Sequence, residues 1–297
     1  MTDRGIQLIL LDEKLKKNSS KLILTQAEKD AEWTAQMNTL HTWNQYAFYT
    51  HLFNGMLALV LSQRASSLSD VNVNLRTSFV EWDEVNEVAY QDLSTKAEMP
   101  LVVAASMISF GAATLHGLNL LDWGEYERQL KSQANHRRWR EYSVSSAIIV
   151  SLLALVCGIQ DIFGLIFIFS VQAGVCWFGD MFESLNVSTE PAALNWAPFI
   201  YASVGFLYNW YVLIWYINGS TDAWASMPQM AFWMIAVWTL LSSVIVWTTY
   251  SQYMQKSIFE NLSSDAIRYA KGEEMLNKIV LVGRSAFLWV VVVGSIN

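Results

Sequence analysis

Seven runs of mainly apolar residues govern what this chain can fold into: roughly 43–63, 100–121, 139–159, 161–182, 196–217, 229–251 and 275–296. A helix of about 17 to 25 such residues matches the hydrocarbon core of a bilayer. Inside lipid every backbone N–H and C=O must find its partner within the protein, which leaves only helices or a closed barrel, and runs of this length select the helix. Composition agrees, with 53% apolar residues, 15% charged residues and 14 each of Trp and Phe. The expected fold is an all-α membrane protein, a seven-transmembrane-helix bundle. His51 and Asn54 interrupt the first run and dilute its signal.

Residues 1–40 precede the runs, and their apolar stretch in "GIQLILLDEKLKK" is too short to span or to serve as a signal-peptide core. They are expected to form a cytoplasmic amino-terminal extension, ahead of a membrane domain over 41–297. Within the extension Thr25 and Glu28 have capping-box spacing, the start of a helix leading into the first span. Cys157 and Cys176 sit inside apolar runs and read as packing residues.

Lys and Arg set the orientation, because cytoplasmic loops carry their excess. Six precede the first run, five lie between the second run and the start of the third, counting Arg140, and three between the sixth and seventh, against three in the loop after the first. The amino terminus is therefore expected inside, and seven spans then place the carboxyl terminus outside. The loop after the first run is long and acidic, and Val71, Val73, Leu75, Thr77 and Phe79 alternate with polar neighbours at the period of a half-buried strand. A short β-hairpin over the outer face is expected there. The net charge of -7 lies mostly in loops and argues against a nucleic-acid partner.

Arg284 stands in the inner third of the last run, where a lone guanidinium costs about 2.5–3.5 kcal/mol toward the helix centre and calls for a partner. Glu141 enters the third run from the same side, with Arg138 three residues before it and Ser145 four after, on one helical face. An ion pair between Arg284 and Glu141 is expected. His51 and His116 are the intramembrane histidines. Two histidines without a third ligand are a weak metal signal, and they read better as part of a hydrogen-bonded polar cluster. Asp180 and Glu183 read as solvated interfacial charges, and Gln172, Asn209, Ser242, Ser243, Thr248 and Thr249 as interhelical polar contacts. Trp139, Trp177, Trp196, Trp215, Trp224 and Trp247 form an aromatic belt. The deeper Trp210, Trp233, Trp238 and Trp289 can line a slot for a flat apolar ligand.

These stretches resemble a known family. "HLFNGMLALVLS", His116 at the end of the second run, "RWREYSVSS", "IQDIFGLIFIFSVQAGVCWFGDMFE" and "PFIYASVGF" are similar to the heliorhodopsins from about residue 40 to the end. The resemblance implies a retinal cofactor bound as a protonated Schiff base to a lysine of the last helix, with Glu141 as its counterion and Ser145 beside it. It also implies a polar inner cavity containing His51 and His116, and a first outer loop whose hairpin takes part in homodimer contact. One position departs from the pattern: Arg284 stands where the lysine belongs, and Val280 where the family has a serine. Arginine is too basic and too delocalised to form a stable imine. Lys278, the nearest lysine, is six residues earlier and about 120° around the helix.

Three functions follow as expectations. The first is retinal-based light sensing and signalling without ion pumping, through a protein partner on the cytoplasmic side. The second is a retinal-free scaffold, lipid-binding protein or subunit in which Arg284 and Glu141 are a structural pair. The third, a proton channel, lacks the succession of intramembrane carboxylates that a relay needs. No catalytic constellation, phosphate loop or metal cluster points to an enzyme.

Overall fold

The computed structural model describes residues 25–64, 72–219 and 227–296. Residues 1–24 of the expected extension, Val71 of the expected strand and Trp224 of the aromatic belt lie outside them. The described residues form eight α-helices and one hairpin: α1 (Gln26–Arg64), β1 (Asn72–Asp83), β2 (Val88–Pro100), α2 (Leu101–Leu121), α3 (Trp123–Lys131), α4 (His136–Val156), α5 (Ile162–Leu185), α6 (Ala197–Asn218), α7 (Gln229–Tyr253) and α8 (Asp265–Gly294). Seven of the helices are long, and together they form a transmembrane bundle. Six are long and apolar enough to cross a membrane, namely α2 and α4 to α8. The 39-residue α1 is the seventh; its polar first half and the His51 and Asn54 interruption keep its mean hydropathy low.

Helix α1 begins with the expected capping box. Thr25 N and Thr25 Oγ1 donate to Glu28 Oε2 at 2.7 and 2.9 Å, and Glu28 N donates to Thr25 Oγ1 at 3.3 Å. The helix runs without a break across residue 40, and its first half packs on other elements. Met37 and Leu40 pack with Tyr126 and Leu130 of α3 and Tyr269 and Ala270 of α8. Trp33 Nε1 donates to Glu127 Oε1 at 2.7 Å.

Around the bundle, α1 packs on α2 and α8, α2 on α4, α4 on α5, α5 on α6 and α7 on α8. Direct contact between α6 and α7 is slight by comparison. The central core draws Ile108 from α2, Leu153 from α4, Leu213 from α6, Met234 from α7 and Phe287 from α8. Close helix approach relies on small residues, as in membrane bundles generally. A Cβ added at Gly283 of α8 would lie 2.5 Å from Leu241 Cδ1 of α7.

Helix α4 ends at Val156, short of the 159 expected from the apolar run, because Gly158 adopts φ +98. Gly158 N bonds Leu155 O at 3.0 Å and Ile159 N bonds Ala154 O at 2.9 Å, the paired bonds of a Schellman stop. Hydropathy cannot distinguish helix from the apolar turn that follows it.

The hairpin pairs β1 and β2 antiparallel from Asn72↔Pro100 to Asp83↔Val88, with a register shift between Leu75 and Arg76. Val73 and Leu75 rest against the bundle core. Arg76 N donates to Gln160 O at 2.9 Å, which ties the hairpin to the α4–α5 connection. Phe79 is half exposed, with its ring centroid 6.3 Å from that of Phe163.

Candidate functional site

Helices α4 and α8 enter the bundle from the same end, so residues a few turns along each meet at similar depth. Arg284 Nη1 donates to Glu141 Oε1 at 2.6 Å, and Nη2 donates to Ser145 Oγ at 2.6 Å. The guanidinium also lies 4.9 Å from the centroid of the Tyr142 ring, a cation–π contact. Residues 141, 142 and 145 of α4 thus surround one cation, since residues three and four apart share a helix face. Arg284 is buried and Glu141 nearly so, with 4% of the Arg284 side chain and 9% of that of Glu141 exposed. Glu141 Oε2 is buried without a hydrogen-bond partner among the described residues.

His51 and His116 come together as well, but only His116 joins a hydrogen-bonded cluster, which corrects the expectation for His51. Their rings stack with centroids 6.1 Å apart and planes 6° from parallel. His116 Nδ1 donates instead to Asn44 Oδ1 at 2.9 Å, and Asn119 Nδ2 donates to the same oxygen at 3.2 Å. Asn44 lies two turns before His51 on the same face of α1, and its amide reaches the neighbouring ring first. Both ring nitrogens of His51 are buried without a partner among the described residues. Nearby, Asn54 Nδ2 donates to Ser285 Oγ at 3.0 Å and Trp289 Nε1 to Asn54 Oδ1 at 3.3 Å.

One further sequence expectation needs correction, and Arg138 finds partners that the sequence did not name. Arg138 shares a helix face with Glu141 in the sequence, yet its side chain pairs with Glu183 of α5 and Glu273 of α8. Glu183 is accordingly not a solvated interfacial charge: it is 2% exposed, whereas Asp180 stays partly exposed and accepts a 2.6 Å hydrogen bond from His136 Nδ1. Tyr269 Oη donates to Glu183 Oε2 at 2.8 Å, and Asn135 Nδ2 to Glu273 Oε1 at 2.7 Å. Sequence reasoning missed Glu273 altogether. It lies in the charged lead-in to the last apolar run, and nothing in "KGEEMLNK" shows which of its charges turns inward. Neighbouring Glu274 takes Lys271 and Lys278. Lys278 also lies 4.7 Å from the Trp43 ring centroid, so the lysine nearest Arg284 faces away from it.

On the other side of Arg284 is a cavity of about 470 Å³ between α4, α5, α6, α7 and α8. Its wall is largely apolar, including Ile149, Val175, Phe206 and Trp238, with Gln172 and several hydroxyls, Ser146, Ser203, Ser242, Ser243 and Thr249, as polar points. Arg284 is the one charged side chain among the described residues that line it. From Trp139 to Ile149 the α4 wall runs about 15 Å at 1.5 Å per residue. Trp139 lies flat against Gly179, where any Cβ would strike the indole, so this glycine gives the ring its place. Of the deep tryptophans, Trp238 lines the cavity, Trp210 and Trp289 pack against the core, and Trp233 is 58% exposed. Gln172 bridges Ser146 and Asn209, each at 3.3 Å.

The arrangement is thus a largely apolar chamber with Arg284, paired to Glu141, in its wall, and a polar layer of histidines and asparagines between α1 and α2. Among known protein families, the one described as heliorhodopsin matches residues 40–296. No curated protein matches the chain.

Proposed function

The chain belongs to the heliorhodopsin family, and from that premise we propose that this integral, multi-pass membrane protein works as a receptor for an elongated apolar molecule held without a covalent bond. The observation that carries the reading is the cavity itself, which has the volume and apolar wall to enclose most of a polyene. Retinal, the cofactor implied by the family, supplies a light-absorbing polyene when bound. Its body fits the chamber, but its usual attachment does not fit these residues. The side chain at the attachment position is a guanidinium already donating to Glu141 and Ser145, and Lys278 is paired with Glu274. Neither nitrogen is a free amine facing the chamber, so the ligand is held by contact alone.

In this reading Arg284 takes over the electrostatic part of a tethered cation. It keeps Glu141 compensated within lipid, so the bundle retains its charge balance with the chamber full or empty. Trp139, Trp238 and Phe206 would hold the ligand by ring contact and exclude water. Nothing in the site asks for turnover, and the protein is read as a receptor rather than an enzyme.

The basic loops support a cytoplasmic amino terminus, with any protein partner on that side. The hairpin exposes Val80, Trp82 and Val85, apolar groups that suit contact with a second copy.

The test is uptake of all-trans-retinal by purified wild type and by Arg284→Lys. Wild type is expected to bind it with quenching of tryptophan emission and no strongly red-shifted band, and Arg284→Lys to gain such a band. If neither protein takes up retinal or a related polyene, the receptor reading fails and a structural role for the bundle replaces it.

A further inference from the structure

The charge state of the chamber wall carries the receptor reading one step further, to the chemical class of the ligand. Arg284 is the one cation among the described residues lining the cavity. A free guanidinium there would attract a carboxylate, because its planar fork of five N–H donors matches one. This guanidinium is not free. Its Nη1 is held by Glu141 at 2.6 Å, its Nη2 by Ser145 at 2.6 Å, and one face is covered by Tyr142. The other Glu141 oxygen has no partner among the described residues, so the carboxylate has no second donor to which it could release the arginine. A ligand acid entering the chamber would therefore add a third charge to a site where two already cancel, and burying an uncompensated charge is strongly unfavourable. A neutral oxygen meets no such penalty and can accept a remaining N–H of the guanidinium.

We propose that the cavity selects elongated apolar ligands with an uncharged polar end, an alcohol or a carbonyl, and rejects the corresponding carboxylates, because Glu141 occupies the arginine that would otherwise bind them. Glu141 is then a specificity-determining residue that acts through Arg284 without touching the ligand. This rests on the receptor reading above, and the experiment separates the two.

Three all-trans polyenes of one carbon skeleton, ending in alcohol, aldehyde and carboxylate, are titrated into the full chain in lipid nanodiscs at neutral pH. Binding is followed by energy transfer from tryptophan, with the signal from empty nanodiscs subtracted. In wild type the alcohol and aldehyde are expected to bind at least about tenfold more tightly than the carboxylate. In Glu141→Gln, which frees the guanidinium and keeps the side-chain shape, the carboxylate is expected to gain about tenfold or more relative to the alcohol.

Equal binding of alcohol and carboxylate by wild type overturns the proposal and leaves the receptor reading standing, as does a Glu141→Gln variant whose preference is unchanged. Binding of none of the three by folded wild type overturns both. The wild-type comparison needs no variant, so it decides the matter even if Glu141→Gln does not fold.

Discussion

A guanidinium in apolar surroundings is held by whatever carboxylates the fold brings within reach, and the described residues use that device twice. Arg284 has one carboxylate and a hydroxyl, whereas Arg138 sits between two carboxylates, Glu183 and Glu273. The difference decides what each substitution should do. Removing Arg138 leaves two buried like charges facing each other, whereas removing one carboxylate leaves a neutral pair. Breaking a buried pair costs about 3–5 kcal/mol when a charge is left uncompensated. Arg138→Gln is therefore expected to lose about that much stability, read as a marked fall in Tm in detergent, with Glu183→Gln losing clearly less. Equal losses would mean that the two carboxylates do not share the arginine.

At the scale of elements, the helices stop and start on local chemistry, as the Schellman stop of α4 and the capping box of α1 illustrate. The hairpin tip depends on a single side chain. Asp83 Oδ2 accepts from Asn86 Nδ2 at 2.6 Å, and Oδ1 accepts from Val85 N at 2.9 Å and Asn86 N at 3.1 Å. These bonds, that of the Asn86 side chain foremost, hold the Asp83 carboxyl below its usual range. With the folded value below the unfolded one, the contribution to stability is fully present above the unfolded value of about 3.9 and is lost as pH falls through the lowered folded value. Amide protection at Val85 and Asn86, corrected for intrinsic exchange, is expected to stay level down to about pH 5 and to fall on further acidification. Asp83→Asn should lack that acid step, and a wild-type profile with no step would rule out the carboxylate's role.

At the scale of the whole molecule, the bundle is laterally divided, with polar side chains layered between α1 and α2 and the apolar chamber among α4 to α8. The hairpin and the short α3 lie at opposite ends of this bundle, which makes its orientation measurable. Val85 at the hairpin tip is 90% exposed, and the Lys131 side chain on α3 is 57% exposed. With Cys157 and Cys176 replaced by Ala, a membrane-impermeant maleimide should label Val85→Cys on intact cells. It should reach Lys131→Cys only after permeabilisation. The opposite pattern would reverse the orientation drawn from the basic loops.

Most of the fold was legible in the sequence, because a helix that must satisfy its backbone inside lipid advertises itself as a long apolar run. The runs located all seven long helices, and the alternation from Val73 to Phe79 located the hairpin. The sequence also carried the demand that Arg284 find a partner and, with Glu141 and Ser145 one turn apart, a candidate for it. It did not carry the fate of Arg138, Glu183 and Glu273, nor that His51 only stacks on His116 while His116, alone of the two, bonds Asn44. The position of a residue along a helix sets its depth and its face. Which neighbouring helix that face meets, and at what rotation, depends on packing of the whole bundle. Only the tertiary structure therefore decided which charges pair, and that the space left between α4 and α8 is a chamber closed on one side by an arginine already neutralised.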